Sequence, residues 1–241
     1  MLRYQIEGGN LPIVTCYPEA GQTLCAESGS MSWMSPNMYM QTKGGGIKKM
    51  LGRLISGESL FLNEYTPQGG AGEITFASSF PGSIIPFELR FGAGLIIQKS
   101  GFLAMEKGID LSIYFQKNVG RGLFGGEGFI MQRATGEGML FLEVDGYCRE
   151  IELAAGESVV VSTGHLAAMT ETCTMDVEVI QGAKNIFLGG EGLFHTRVTG
   201  PGKVYLQSMP IADVAGRFSA YLPSGNSSSD SGSGINISLG R

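Results

Sequence analysis

The chain has 241 residues, of which 43% are hydrophobic, 16% are charged and 38 are glycine. This composition provides enough apolar side chains for a buried core, and the glycine content favours many short strands joined by tight turns over long helices. The formal net charge of -5 argues against a protein that coats nucleic-acid phosphates, because that affinity comes from Lys and Arg. We therefore expect an all-β protein, and we do not expect nucleic acid among its partners.

The sequence carries no sign of a membrane segment or of a zinc-binding cysteine pair. Met1-Leu2-Arg3-Tyr4 is not followed by an apolar run with a cleavage site, and no window offers the roughly 18 uninterrupted apolar residues of a membrane span. The four cysteines form no C-x-x-C pair. We expect a cytoplasmic protein with free thiols, no membrane span and no cofactor.

The chain begins with two predicted strands, over residues 4–7 and 11–17, and continues with a segment bracketed by two glycines. This bracketed segment occurs at residues 21–29 and 156–164 with the same separation, and at 94–101 with one residue fewer. The residues after each closing glycine also match, since an apolar run follows every time. A recurring pattern of this kind predicts an internal repeat.

A second recurring pattern is a glycine and glutamate turn, followed by a strand, a glycine turn and another strand. Its clearest copies start at Gly125 and Gly189, and a looser copy starts at Ser56. The turn residues that recur, or that belong to the two close copies, are Glu58, Glu127, Glu191, Gly128 and Gly192. The two patterns alternate in the same order, which predicts repeats over residues 11–82, 83–146 and 147–208.

Each repeat is long enough for several strands, so we expect three similar β-sandwich subdomains in one compact domain over residues 1–208. One such unit alone would leave a hydrophobic face and strand edges exposed, whereas three units around a pseudo-threefold axis would cover one another. The alternative is a linear stack of three sandwiches.

A C-terminal helix is predicted over residues 209–223. Ser208 is a candidate cap, Pro210 starts the helix and Pro223 ends it. Its apolar residues fall on one stripe, which contains Ile211, Val214, Ala215, Phe218 and Leu222. Residues 224–241 have the Ser- and Gly-rich composition of a flexible tail, within which residues 235–239 read as a potential edge strand.

The chain resembles a known family through several motifs taken together. These are Met34-Ser35-Pro36-Asn37, the run from Gly57 to Leu62, the Gly-Glu-Gly turns at 126–128 and 190–192, and the run from Thr199 to Gln207. Over roughly residues 10–210 they are similar to the bacterial branch of the altered-inheritance-of-mitochondria, mitochondrial biogenesis protein-like family. The resemblance implies three subdomains related to the tryptophan RNA-binding attenuation protein, a short form of the double-stranded β-helix. It implies no established activity and no catalytic residues.

The recurring glutamates Glu58, Glu127 and Glu191 have two readings. Each carboxylate accepts hydrogen bonds from backbone N–H groups in its own glycine turn, which is a structural role. Alternatively, the three meet near the pseudo-axis and bind a hard cation through oxygen ligands. The first reading is favoured, and no metal is expected.

Other candidate sites in the sequence are weak. His165 and His195 are the only histidines, and their equivalents in the other repeats are not histidine, which argues against a metal site of the cupin type. The glycines of residues 120–125 have the spacing of a dinucleotide fingerprint, but a strand follows where that motif needs a helix. No nucleophile elbow is present.

Two segments are candidates for partner contact. Lys48, Lys49 and Arg53 follow a glycine run and could hold an anion or an acidic partner, although a solvated basic loop has the same composition. Met and aromatic residues crowd together at positions 31–40, which suits either a binding surface or a β core. About half of them are expected in the core.

Taken together, these features predict a non-enzymatic scaffold or binding protein that contacts a protein partner or forms a homo-oligomer. The alternative is an RNA-binding or small-ligand-binding protein, by analogy with the attenuation protein. An enzyme would need a convergent polar pocket with perturbed titrating groups, and the sequence shows none.

Overall fold

The computed structural model describes residues 1–43, 62–117, 128–179, 194–219 and 221, and most of these residues lie in strands. The first strands are β1 (Arg3–Glu7), β2 (Ile13–Tyr17), β3 (Leu24–Glu27), β4 (Met31–Met34), β5 (Met38–Lys43), β6 (Leu62–Pro67) and β7 (Ile74–Ala77). The middle strands are β8 (Gly82–Leu89), β9 (Leu95–Gln98), β10 (Phe102–Glu106), β11 (Ile109–Lys117), β12 (Phe129–Gly136) and β13 (Gly138–Asp145). The last strands are β14 (Cys148–Leu153), β15 (Ser158–Ser162), β16 (Leu166–Thr170), β17 (Thr174–Val179), β18 (Phe194–Thr199) and β19 (Gly202–Gln207).

The predicted all-β class is confirmed, and so is a C-terminal helix, α1 (Ile211–Ser219). Short 3-10 turns at Lys99–Gly101 and Thr163–His165 precede β10 and β16. Helix α1 is nine residues long, far below the roughly 20 residues needed to cross a bilayer, and no other helix of the described ranges reaches that length.

The nineteen described strands pair antiparallel in four sheets. Sheet I has the order β1-β2-β7-β4, and sheet II the order β5-β6-β3-β10-β13-β8. Sheet III has the order β11-β12-β9-β16-β19-β14, and sheet IV the order β15-β18-β17. After β1, the strands fall into three successive groups of six, and the same pairings occur in each group. In each group the first, sixth and third strands pair side by side, as β2-β7-β4, β8-β13-β10 and β14-β19-β16. The fourth, fifth and second strands also pair, as β5-β6-β3, β11-β12-β9 and β17-β18-β15.

Sheets II and III are each made from two successive thirds of the chain. In sheet II, β3 pairs with β10, and we call this contact the first join. In sheet III, β9 pairs with β16, and we call this the second join. A closed threefold arrangement would need a third join, between β15 and β4. Among the described residues β15 pairs with β18 and β4 with β7, so the closed arrangement and the repeat boundaries remain predictions.

Three apolar cores fill the spaces between successive sheets. The core between sheets I and II contains Ile74, Phe76 and Phe141. The core between sheets II and III contains Ile97 and Leu140, and the third, between sheets III and IV, contains side chains such as Met131 and Val198. Sheets II and III therefore have apolar residues on both faces, which explains why several of their strands are buried along almost their whole length.

Each join combines backbone pairing with an ion pair between neighbouring thirds of the chain. At the first join, Lys107 Nζ lies 3.1 Å from Glu64 Oε2. At the second, Arg133 Nε lies 3.1 Å from Glu171 Oε1. The Glu64 side chain is only 10% exposed, so the partner lysine offsets the cost of burying its charge.

Candidate functional site

A concave site lies beneath helix α1. The helix follows Pro210, carries Asp213 in its first turn and Arg217 in its last, and so agrees with the helix dipole. The sequence suggested Ser208 as the cap of this helix, but Ser208 does not bond the first helical amide. Instead, Asp145 Oδ2 accepts the Ile211 N–H at 2.7 Å, while Ser208 Oγ accepts the N–H of Tyr147 at 2.8 Å.

A hollow of about 450 Å³ separates the helix from the ends of several strands. Ile211, Ala212 and Ala215 form its apolar wall on the helix side. The opposite side is more polar and contains Gln98 and Gln207 at the strand ends, together with the side chains Glu27, Lys99 and Asp145. Its size lies in the range of small-ligand sites, which is roughly 300–1,000 Å³.

The polar side of the hollow is held by a hydrogen-bond network centred on Gln207. Its Nε2 donates to Gln98 Oε1 at 3.1 Å and to the carbonyl oxygen of Gly164 at 2.7 Å. Its Oε1 accepts the Asp145 N–H at 3.1 Å. Because these amide groups bond within the protein, they hold the polar side of the hollow in place.

His165 lies between β19 and the helix. Its Nδ1 lies 2.7 Å from the carbonyl oxygen of Gln207, so this nitrogen carries a proton and donates it. Its Nε2 lies 3.4 Å from Asp213 Oδ2 on the helix, a contact that is an ion pair only when the imidazole carries its second proton. The ring therefore contacts the helix junction, whereas His195 lies half-buried on β18.

The surroundings of Asp145 destabilise the charged form of its carboxyl group, because the group is partly buried. Burial raises the pKa of this carboxyl above its ordinary value, the Ile211 N–H opposes that shift, and the nearby Glu143 carboxylate adds to it. The raised pKa reflects the position of Asp145 beneath the helix, where it caps α1 and helps to line the hollow.

Comparison with known proteins now identifies the family. Residues 4–209 match the family described as Mitochondrial biogenesis AIM24. The chain belongs to the AIM24 family. An uncharacterized protein of Streptococcus pyogenes serotype M6 is 28% identical over 239 residues, which cover 92% of each chain. The crystal structure of a Streptococcus pyogenes protein, solved by the Northeast Structural Genomics Consortium, matches with a TM-score of 0.77 and 25% identity, covering 92% of this chain and all of that one.

Most of the site residues that the sequence suggested in this AIM24 chain lie outside the described residues. These are Lys48, Lys49, Arg53, Glu58, Glu127, Glu191 and Gly192. The glutamate cation site and the basic contact therefore stay predictions. Within the described ranges, no group of three or more His, Cys, Asp or Glu side chains is placed to hold a metal ion.

Gly128 is the recurring turn residue that can be placed. It lies on the wall of the hollow with φ of +85°, a left-handed conformation that favours glycine. The sequence assigned it a structural turn role, and the structure adds its position at this site.

The Met-rich segment at positions 31–40 is divided between core and surface, as expected. Met38 is buried, and Met31 and Met34 pack against the core between sheets I and II. The aromatic residues Trp33 and Tyr39 are exposed, as is Met40. The exposed half lies on β4 and β5, which are edge strands of sheets I and II.

Sequence reasoning missed Asp145, Gln98 and Gln207. They come from β13, β9 and β19, and only the tertiary fold brings them together at the helix. Asp145 lies next to the predicted repeat boundary after residue 146, and nothing in the local sequence indicates that it caps a helix more than sixty residues along the chain.

Proposed function

We propose that this AIM24-family chain is a non-enzymatic scaffold that acts by associating with further copies of itself and by contacting a protein partner. The observation that carries this proposal is the pair of joins, where one third of the chain completes its sheet with strands of the next third. At both joins a sheet of one third of the chain is extended by strands of the next third, and this backbone pairing needs no ligand or cofactor.

The burial of the joining strands supports an assembly role. Both faces of sheets II and III contribute to apolar cores, so the middle third cannot bury its strands without its neighbours. A fold of this kind is stabilised by contact between similar units, as in repeat proteins.

The helix region supports contact with a protein partner. The predicted apolar stripe of α1 does not enter a closed core, since Ile211 is about half exposed and Phe218 is 67% exposed. Tyr147, just before β14, and Met209, two residues before the helix, are also exposed. Apolar side chains held in place at a surface are typical of protein interaction sites.

Sedimentation velocity of the purified full-length chain over a wide concentration range tests the self-association. We expect species heavier than the 25.6 kDa monomer whose share grows with concentration. A 25.6 kDa species alone at every concentration would contradict the proposal. Retention of RNA in a filter assay at low salt would instead favour the alternative function.

A further inference from the structure

We infer that strand β4 of one molecule pairs with strand β15 of a second copy, which makes a third join between molecules. This inference rests on the proposed function, because it names the surface through which copies associate. It follows from three independent features of the sheet edges: their charge, the residues they leave exposed and the composition of β15.

The first feature is the distribution of charge over the edge strands. Proteins protect exposed edges from pairing by placing charged residues or proline there. In the described part of the chain, each of the other edge strands contains at least one charged residue: Arg3, Lys43, Glu88, Asp110, Arg149 and Asp176. Strands β4, with the sequence Met-Ser-Trp-Met, and β15, with Ser-Val-Val-Val-Ser, contain neither a charged residue nor a proline.

The second feature is the exposure of Val160. At the joins, Cys25 of β3 and Ile96 of β9 each extend into the core of the following third of the chain, and both are buried. The strand pairings place Val160 of β15 at the corresponding position, since it pairs with Arg197 as Ile96 pairs with Arg133. In the described part of the chain no further set of strands packs over Val160, and it is 48% exposed.

Trp33 of β4 corresponds to residues that, at the two joins, pack against the preceding third of the chain. Ala104 of β10 and Ala168 of β16 lie after equivalent bulges and are fully buried against the core of the preceding third. Trp33 occupies this position on β4, after the same bulge, and it is 51% exposed. Trp33 and Val160 thus lack the covering strand that their counterparts have at the two joins, as far as the described residues show.

The third feature is the composition of β15. Three successive valines give this strand apolar side chains on both faces, which is typical of a strand buried between two layers. Val161 is buried against sheet III, whereas Val160 points away from that core. Strand β9, its counterpart at the second join, is buried throughout.

The two existing joins define the register of the new one. Met105 pairs with Cys25 at the first join, and Met169 pairs with Ile96 at the second. The corresponding pair between molecules is Met34 with Val160, flanked by Trp33 with Val161 and Ser35 with Val159.

The join between molecules is weaker than the joins within the chain. Pro36 occupies the position of Lys107 and Glu171, so this join has no counterpart of their ion pairs. Trp33 is also much larger than the alanines it replaces, which requires different side-chain packing around the same backbone pairing. We therefore expect reversible assembly that depends on concentration.

Because β4 and β15 are different strands at opposite ends of the sheet stack, the contact is head to tail. Such contacts build rings where the rotation closes and open chains where it does not. A molecule with one of these two edges blocked can still pair through the other edge. Two differently blocked variants can therefore pair with each other but cannot form longer assemblies.

The experiment compares three lysine variants by sedimentation velocity: Trp33→Lys blocks β4, Val160→Lys blocks β15, and Thr174→Lys is the matched control. Thr174 is exposed on β17, the opposite edge of the same sheet IV as β15. We expect each blocking variant to weaken self-association at least about tenfold, because pairing would bury an unpartnered ammonium group. The control should associate like the wild type.

An equimolar mixture of Trp33→Lys and Val160→Lys should form a dimer that grows no further, since one open β4 and one open β15 remain unblocked in the pair. Undiminished association of both blocking variants would overturn the inference while leaving the proposed function intact. A wild type that stays monomeric, with its edges covered by its own residues 235–239 or by closure within the chain, would overturn both. Should a lysine variant fail to fold, cross-linking between Met34→Cys and Val160→Cys proteins decides instead.

Discussion

At the scale of single residues, Asp145 is the side chain whose role is most clearly defined. Its carboxylate caps α1 from a strand far away in sequence, although burial makes its charge costly. A capping acceptor contributes about 1 kcal/mol to a helix end, and asparagine provides an equivalent acceptor.

We therefore expect Asp145→Ala to release the helix and Asp145→Asn to keep it docked. Amide hydrogen exchange over residues 211–219 measures this directly, with faster exchange expected for the alanine variant, by about fivefold for a loss of about 1 kcal/mol. Equal exchange in the two variants would show that Asp145 does not hold the helix.

The thiols provide a second prediction. Cys16, Cys25 and Cys173 are buried, and burial together with the charge of Glu106 raises the pKa of the Cys16 thiol to about 12. At pH 8 only about one Cys16 side chain in ten thousand would then be thiolate, the reactive form. Alkylation of the native protein at this pH should modify the half-buried Cys148 first, and alkylation after denaturation should modify all four cysteines. Modification of native Cys16 at the rate of Cys148 would contradict its burial.

Residue-level interpretation of the sequence succeeded where the local pattern determines the outcome. The division of the Met-rich segment into core and surface follows from alternation along short strands. The cap of α1 could not be predicted, because Ser208 has the right local position and only the fold reveals that its hydroxyl bonds Tyr147.

At the scale of strands, the ion pairs across the joins can be tested separately. Lys107→Met leaves the buried Glu64 carboxylate without its lysine, and we expect a loss of about 1–3 kcal/mol in the free energy of unfolding. Arg90→Met is the matched control, because the Arg90 and Glu88 pair is exposed and contributes at most about 1 kcal/mol. Urea denaturation measures both, and equal losses would show that the join does not depend on this pair.

Much of the strand pattern could be predicted, because glycine turns interrupt short apolar runs. Gly21 and Gly156 open equivalent segments and share φ of +81°, which shows why glycine recurs there. The pairing of β3 with β10 and of β9 with β16 could not be predicted. Pairing between distant strands is set by which faces are buried, and the repeats favoured the pseudo-threefold arrangement while leaving a linear stack open as the alternative.

At the scale of the whole molecule, the described residues form four sheets with three cores between them, and the first and last sheets each have one uncharged edge strand, β4 and β15. The sequence predicted all-β architecture and a C-terminal helix, and both are confirmed. The sequence could not predict which face of the helix is exposed or which strands form open sheet edges. Both depend on which elements the tertiary fold places next to them.

The most direct test of this account is disulfide formation between two single-cysteine additions. Met34→Cys protein and Val160→Cys protein are mixed under mild oxidation, and the linked peptides are identified by mass spectrometry. Directly paired residues in antiparallel strands lie about 4.5–5.5 Å apart at their Cα atoms, which suits a disulfide. We expect a Met34→Cys to Val160→Cys link between molecules in the mixture and no such dimer from either protein alone. Absence of this link from a mixture that still associates would contradict the head-to-tail join.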